Sequence, residues 1–262
     1  MQSSLQKDPY EKKRELMETE KLHTGTSKTN NEKFEKDGYL KIENICDPEE
    51  LYSPLPFLRG NYTYGLDVND VTHVGDDEQV PGGLSRYHYP YYRKIHKTLC
   101  KKVEDIIGKK LYPTYYFDRY YFPGQELEKH TDRPSCEISV SVHISNNLPD
   151  NLKDWPLYIK TPDTYTDDKK DIISVGQERS LVLNPGDGMI YKGCERPHWR
   201  NPIPIPPNNS KNRLFGLFNK SHSKSSDNYY YHQIFFHYVL QDGERAYFAW
   251  DMQQNSIKGV NV

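Results

Sequence analysis

In the stretch "YYFPGQELEKHTDRP", Tyr120 to Pro134, a histidine and an aspartate stand two residues apart, just after a turn-forming Pro-Gly in a run of aromatics. Residues i and i+2 of an extended chain project from one face, so His130 and Asp132 can present an imidazole and a carboxylate to the same point. A third ligand is available in "NPGDGMIYKGCERPHWR", where His198 ends a strand that follows a tight Gly-Asp-Gly turn. Two histidines and one carboxylate are a ligand set for non-haem Fe(II) that leaves positions open for a co-substrate and O2. Taken alone, His-x-Asp is more often an exposed pair at a strand end than a metal ligand pair.

These residues need rigid elements to bring them together. "EISVSVHI" alternates strictly, with Ile138, Val140, Val142 and Ile144 on one face and Ser139, Ser141 and His143 on the other. The pattern predicts a strand with one dry face and one turned to water or a polar site. "PLYIKT", "RSLVL", "GMIYKG" and "HQIFFHYVL" read as further strands, with turns such as "NPGDG" between them. In "PYYRKIHKTLCKKVEDIIGKK" the apolar residues Ile95, Leu99, Val103 and either Ile106 or Ile107 fall on one stripe and Gly108 is a stop, which predicts a helix lying against a sheet. Earlier, Asp37-Gly38 turns into a short strand, and Asp47-Pro48-Glu49-Glu50 opens a helix.

The 262 residues suffice for one sizeable domain, expected over residues 33–262. The 35 basic side chains nearly balance 37 acidic ones, so no global field draws the chain to nucleic acid or anionic lipid. The 22 tyrosines favour strands over a helical bundle. Four scattered cysteines without a CxxC pair indicate neither a zinc knuckle nor a disulfide framework and suit a reducing compartment. With no apolar run of membrane length, the expectation is a soluble, cytoplasmic protein acting on a small-molecule or peptidyl substrate. Residues 1–32 are expected as a charged mobile arm, with Thr24–Asn31 resembling a linker, and residues 201–228 as a long insertion between strands.

The segment Tyr121-Phe-Pro-Gly124-Gln-Glu-Leu127-Glu-Lys-His130-Thr-Asp132 resembles the Fe(II)- and 2-oxoglutarate-dependent dioxygenases, most nearly their prolyl 4-hydroxylase-like branch. That branch carries Tyr-x-x-Gly, two residues, a second Tyr, two residues, then His-x-Asp. The opening "FEKDGYLKI" and the "PGDGMIYKG" strand leading to His198 are also similar, and the resemblance spans roughly Phe34 to Val239. It implies a mainly β double-stranded β-helix (jelly-roll) with supporting helices on the outer sheet. It also implies Fe(II) held by His130, Asp132 and His198, and hydroxylation of an unactivated C–H bond with 2-oxoglutarate and O2 giving succinate and CO2.

Two departures matter. Leu127 replaces the second tyrosine, which puts peptidyl proline as substrate in doubt. The basic residue that the family places about ten positions past the distal histidine is missing, for Ile205 to Asn209 fill that neighbourhood. Arg200 is the first candidate to grip the far carboxylate, because a guanidinium pairs with it bidentately, and Lys160 and Arg213 stand in reserve. A surface arginine is the alternative reading of Arg200. Tyr121 matches the family tyrosine that hydrogen-bonds the same carboxylate, and His143 is a further candidate contact; core packing is the alternative for each. His232 and His237 read as buried structural imidazoles, Arg119 as half of an ion pair, and Trp199 as either a shield for the metal or a packing group. A cupin-like jelly-roll binding protein without oxygenase activity is the rival reading from another class.

Overall fold

The computed structural model describes residues 27–52, 57–59, 62–64, 71–74, 79–205 and 229–249. Helix α1 covers Ser27–Asp37 and buries Phe34, so the stretch expected as a linker is helical from Ser27 and the expected boundary at residue 32 falls inside an element. Burial of that one aromatic ring supplies the driving force that the polar local sequence hides. Residues 1–26 of the expected arm lie outside the described residues, as do 206–228 of the expected insertion.

Strand β1 (Tyr39–Ile42) leads to the short helix α2 (Pro48–Leu51), opened by Asp47, whose carboxylate accepts the Glu49 N–H at 2.9 Å. Helix α3 (Arg93–Ile107) buries Leu99, Val103 and Ile107 as the stripe predicts. It stops at Gly108, whose φ of +67° suits a residue without Cβ and whose N–H donates to the Glu104 carbonyl at 2.8 Å.

The remaining strands, in order, are β2 (Phe57–Arg59), β3 (Tyr62–Tyr64), β4 (Val71–Val74), β5 (Leu84–Tyr87), β6 (Leu111–Tyr121), β7 (Leu127–His130), β8 (Ile138–Asn146), β9 (Leu157–Lys160), β10 (Thr164–Tyr165), β11 (Ile172–Ser174), β12 (Glu178–Leu181), β13 (Gly188–Tyr191), β14 (His198–Arg200) and β15 (Tyr231–Leu240). A large antiparallel sheet runs β1-β13-β8-β15-β6-β5-β4, and a small one runs β12-β9-β14-β7. From Leu111 on, the chain passes from large sheet to small and back: β6, then β7, then β8, then β9 and β12, then β13, then β14, then β15. This winding is the expected double-stranded β-helix. Leu84–Tyr87 pairs with β6 as part of the large sheet.

Alternation on β8 and β15 sorts the core. Ile138, Val140, Val142, Ile234 and Phe236 turn outward and pack with α3, while Tyr231 and Phe235 join Tyr121, Leu127 and Trp155 between the sheets. Burying a side chain of this size contributes about 1.5–3 kcal/mol. Behind the large sheet, Arg86 forms a buried ion pair with Asp118, which also accepts from His232 Nε2 at 2.8 Å. His232 is therefore a buried structural imidazole on the outer face, held through Nε2.

Candidate metal centre and its pocket

His130 ends β7, and Asp132 follows at the rim with its N–H donated to the Gly193 carbonyl at 2.9 Å. His198 opens β14, whose register sets it directly opposite His130. Asp132 Oδ1 lies 3.5 Å from His130 Nε2 and 3.5 Å from His198 Nε2. Ligand atoms in adjacent octahedral positions at about 2.1 Å from one ion stand about 3 Å apart, so small side-chain movements bring these three onto a shared metal.

The tautomers are also set for binding. His130 Nδ1 is 2.7 Å from the Glu128 carbonyl and His198 Nδ1 is 3.0 Å from that of Arg196. A carbonyl only accepts, so each Nδ1 carries the hydrogen and each Nε2 turns a lone pair toward Asp132. Burial pushes the Asp132 carboxyl up, but His198 and His130 outweigh it and hold it well below the usual carboxylate range. Burial pushes His198 down, and the Asp132 charge overcomes this and raises it. The pocket thus favours a carboxylate facing positive charge, which a divalent cation supplies once the imidazoles are neutral.

Arg200 shares its face of β14 with His198, and its guanidinium is buried between the rings of Trp155 (4.4 Å) and Tyr231 (4.8 Å). Nη1 donates to the Trp155 carbonyl at 2.7 Å, Nη2 to the Tyr231 hydroxyl at 3.5 Å, and Nε has no hydrogen-bond partner among the described residues. Trp199 points the other way, stacked on Tyr158 and beneath the Lys129 ammonium at 4.1 Å, so it packs the outside of the small sheet and does not shield the metal. Tyr121 is fully buried against Trp155, its hydroxyl 3.2 Å from Arg119 Nη1. His143 stacks on Tyr231 at 4.1 Å, with Nδ1 bonded to the Leu183 carbonyl and Nε2 to the Asn146 amide.

Of the reserve anchors, Lys160 is paired with Asp163 at 2.9 Å, and Arg213 lies outside the described residues. Among the described residues Arg119 donates to Ser85, Tyr121 and Gln79, and the Arg86–Asp118 pair occupies the other face of the same sheet.

Sequence reasoning missed Gln233. It is fully buried on the inner face of β15, opposite Arg119 on β6 and His143 on β8, and neither its amide nitrogen nor its oxygen has a partner among the described residues. The alternation of "YYHQIFFHYV" places Tyr231, Gln233, Phe235 and His237 on one face, and a lone amide in that aromatic row was the available signal. Buried polar groups rarely go unpaired, so the unpartnered atoms of Gln233 and Arg200 are candidate contacts for a polar ligand.

No family model matches the sequence, and no curated protein does. Among solved structures, the chain is similar to an oxidoreductase of the 2OG-Fe(II) oxygenase family from Burkholderia pseudomallei, with 10% identity over 84% of this chain and 92% of that one, at a TM-score of 0.51. It is also similar to a Pseudomonas putida prolyl-4-hydroxylase (9% identity, 81% and 98% covered, TM-score 0.45). A third is a prolyl hydroxylase from Trichoplax adhaerens in complex with a hypoxia inducible factor peptide fragment (12% identity, 92% and 97% covered, TM-score 0.45). Sheet order and the first of these likenesses agree: the chain has the double-stranded β-helix fold of the 2OG-Fe(II) oxygenases, the superfamily that its His-x-Asp segment resembles.

Proposed function

We propose that the chain is a non-haem Fe(II)- and 2-oxoglutarate-dependent dioxygenase that hydroxylates an unactivated C–H bond of a small molecule or a peptidyl side chain, with release of succinate and CO2. The observation that carries this reading is the convergence of His130 Nε2, Asp132 Oδ1 and His198 Nε2, with both imidazole hydrogens committed to backbone carbonyls. Bound there, Fe(II) would supply the redox chemistry that couples oxidative decarboxylation of 2-oxoglutarate by O2 to hydroxylation of the substrate.

The protein's own part is binding and orientation. Arg200 offers its unpartnered Nε–H and its charge to the far carboxylate of 2-oxoglutarate, while Trp155 and Tyr231 hold the guanidinium flat. Tyr121 accepts from Arg119 and so has its own O–H to give to the same carboxylate. His143, with both nitrogens engaged, acts by fixing the Tyr231 ring that backs Arg200. The aromatic residues packed between the sheets keep the pocket dry, which strengthens each of these contacts.

One observation favours the rival, a cupin-like binding protein: two of the three nitrogens of Arg200 are already bonded within the protein, which leaves Nε as the one guanidinium nitrogen without a partner among the described residues. Anaerobic titration with Fe(II), followed by measurement of succinate formed from 2-oxoglutarate under O2, separates the two. One iron per chain with succinate release, slow without substrate and faster with the right one, supports the dioxygenase. Iron binding with no succinate under any substrate tested supports the binding protein.

A further inference from the structure

Ser139 starts the inner face of β8, and strand register sets it opposite His237 on β15. Its hydroxyl donates to Asp132 Oδ2 at 2.9 Å and stands 2.9 Å from His237 Nδ1. The Cys136 carbonyl, at 3.2 Å, competes for the same hydrogen, but an ionised acceptor at the shorter distance wins. A serine hydroxyl has one hydrogen to give, so with it on the carboxylate the oxygen must accept from His237, which places that ring's hydrogen on Nδ1. The His237 ring is itself clamped, stacked on Tyr115 with centroids 4.5 Å apart.

Gly193 makes the approach possible. A Cβ there would stand 2.3 Å from Asp132 Oδ2 and 2.8 Å from Ser139 Oγ, far inside contact distance. Asp132, Cys136 and His237 are spaced closely enough to suggest a second metal. The Ser139 oxygen, however, already bridges the carboxylate and the imidazole. This cluster is a hydrogen-bond network behind one metal site and not a second ion site.

We propose that Ser139 and His237 are positioning residues for the metal-binding carboxylate: the chain Asp132 Oδ2, Ser139 hydroxyl, His237 Nδ1–H occupies one carboxylate oxygen so that only Oδ1 faces His130 and His198. Asp132 is thereby held as a one-oxygen ligand, and a coordination position that a freely turning carboxylate would cover stays open for a bidentate co-substrate. The inference rests on the metal-centre reading above and adds residues which that reading does not need.

The test uses the full chain, freed of metal, with Fe(II) binding measured anaerobically and Co(II) as a spectroscopic probe. Ser139→Ala is expected to weaken Fe(II) binding by about 10- to 100-fold, the usual effect of losing a partner behind a metal ligand. It also shifts the visible bands of the Co(II) protein as the carboxylate gains its second oxygen contact. Ser139→Thr, which keeps the hydroxyl, restores both readouts. His237→Phe weakens binding less and moves the bands the same way, and His237→Asn, which keeps a donor near the Nδ1 position, restores them. Thermal melts of the metal-free proteins identify the folded variants, and the His237 pair carries the test if Ser139→Ala does not fold. Folded Ser139→Ala and His237→Phe proteins with wild-type Fe(II) affinity and an unchanged Co(II) spectrum would overturn the proposal while leaving the metal centre standing. A wild-type chain that takes up no metal removes the metal centre itself.

Discussion

In the proposed site, three side chains would hold the ion. His130, Asp132 and His198 contribute one atom each, so replacing any one by Ala is expected to abolish stoichiometric Fe(II) binding while far-ultraviolet dichroism stays native. A His198→Ala chain that still binds one iron with full affinity would show the ligand set to be wrong. Arg200 is the proposed anchor for the co-substrate. With its guanidinium buried and its Nε unpartnered among the described residues, Arg200→Ala should raise the 2-oxoglutarate requirement by about tenfold or more, equivalent to at least about 1.4 kcal/mol of binding, with iron binding retained. Tyr121→Phe should act in the same direction by less, since it removes one neutral hydrogen bond of about 1 kcal/mol. Isothermal titration of 2-oxoglutarate into the metal-loaded variants reads both effects. Unchanged affinity in Arg200→Ala would move the anchor elsewhere in the pocket and leave the iron site untouched.

Strands and turns explain why these side chains meet. β14 is three residues long, and its alternation sends His198 and Arg200 into the pocket while Trp199 faces out. The turn from β13 into β14 carries Gly193, which must lack a side chain because a Cβ would meet Asp132 Oδ2 and the Cys136 carbonyl at 2.3 Å each. Since a backbone carbonyl cannot swing aside, Gly193→Ala is expected to destabilise the fold by about 1–3 kcal/mol and to lower Fe(II) affinity more than tenfold. Chemical denaturation and iron titration on the same preparation check this, and a native-like affinity would show that the turn has slack. Helix α3 behaves oppositely. Ile107→Ala empties a fully buried position against the outer face of the large sheet and should cost about 2–5 kcal/mol without altering iron stoichiometry.

Across the whole molecule, buried imidazoles link stability to pH. Burial pushes His96 down to about 4, and His143 and His237 down to about 3. Each is neutral in the fold, whereas the unfolded chain takes up protons near pH 6.5, so the unfolded state binds more protons as pH falls below that value. Stability should therefore hold above about pH 7 and decline between about 6.5 and 4, by up to about 1.4 kcal/mol per pH unit for each such histidine. His198, raised in the fold, opposes this trend by its own single proton. Denaturant titrations of the metal-free protein across this window test the sign, and His96→Phe should flatten the slope by roughly one proton. A stability that rises on acidification would contradict the neutral burial of these rings.

Local periodicity carried much of this protein's design. The stripe Leu99, Val103, Ile107, the two-residue rhythm of β8 and the His-x-Asp spacing are each properties of short stretches, and backbone geometry turns them directly into a helix, a two-faced strand and a ligand pair. Tertiary structure alone decided the rest. Ser139 meets His237 across 98 residues of chain, Arg86 takes Asp118 and leaves Arg119 to the pocket side, and Phe34 makes a helix of part of an apparent linker. The physical reason is that side-chain direction along a strand is local, whereas the partner it meets depends on which strands pair, in what register and on which sheet. No short window of sequence contains that pairing.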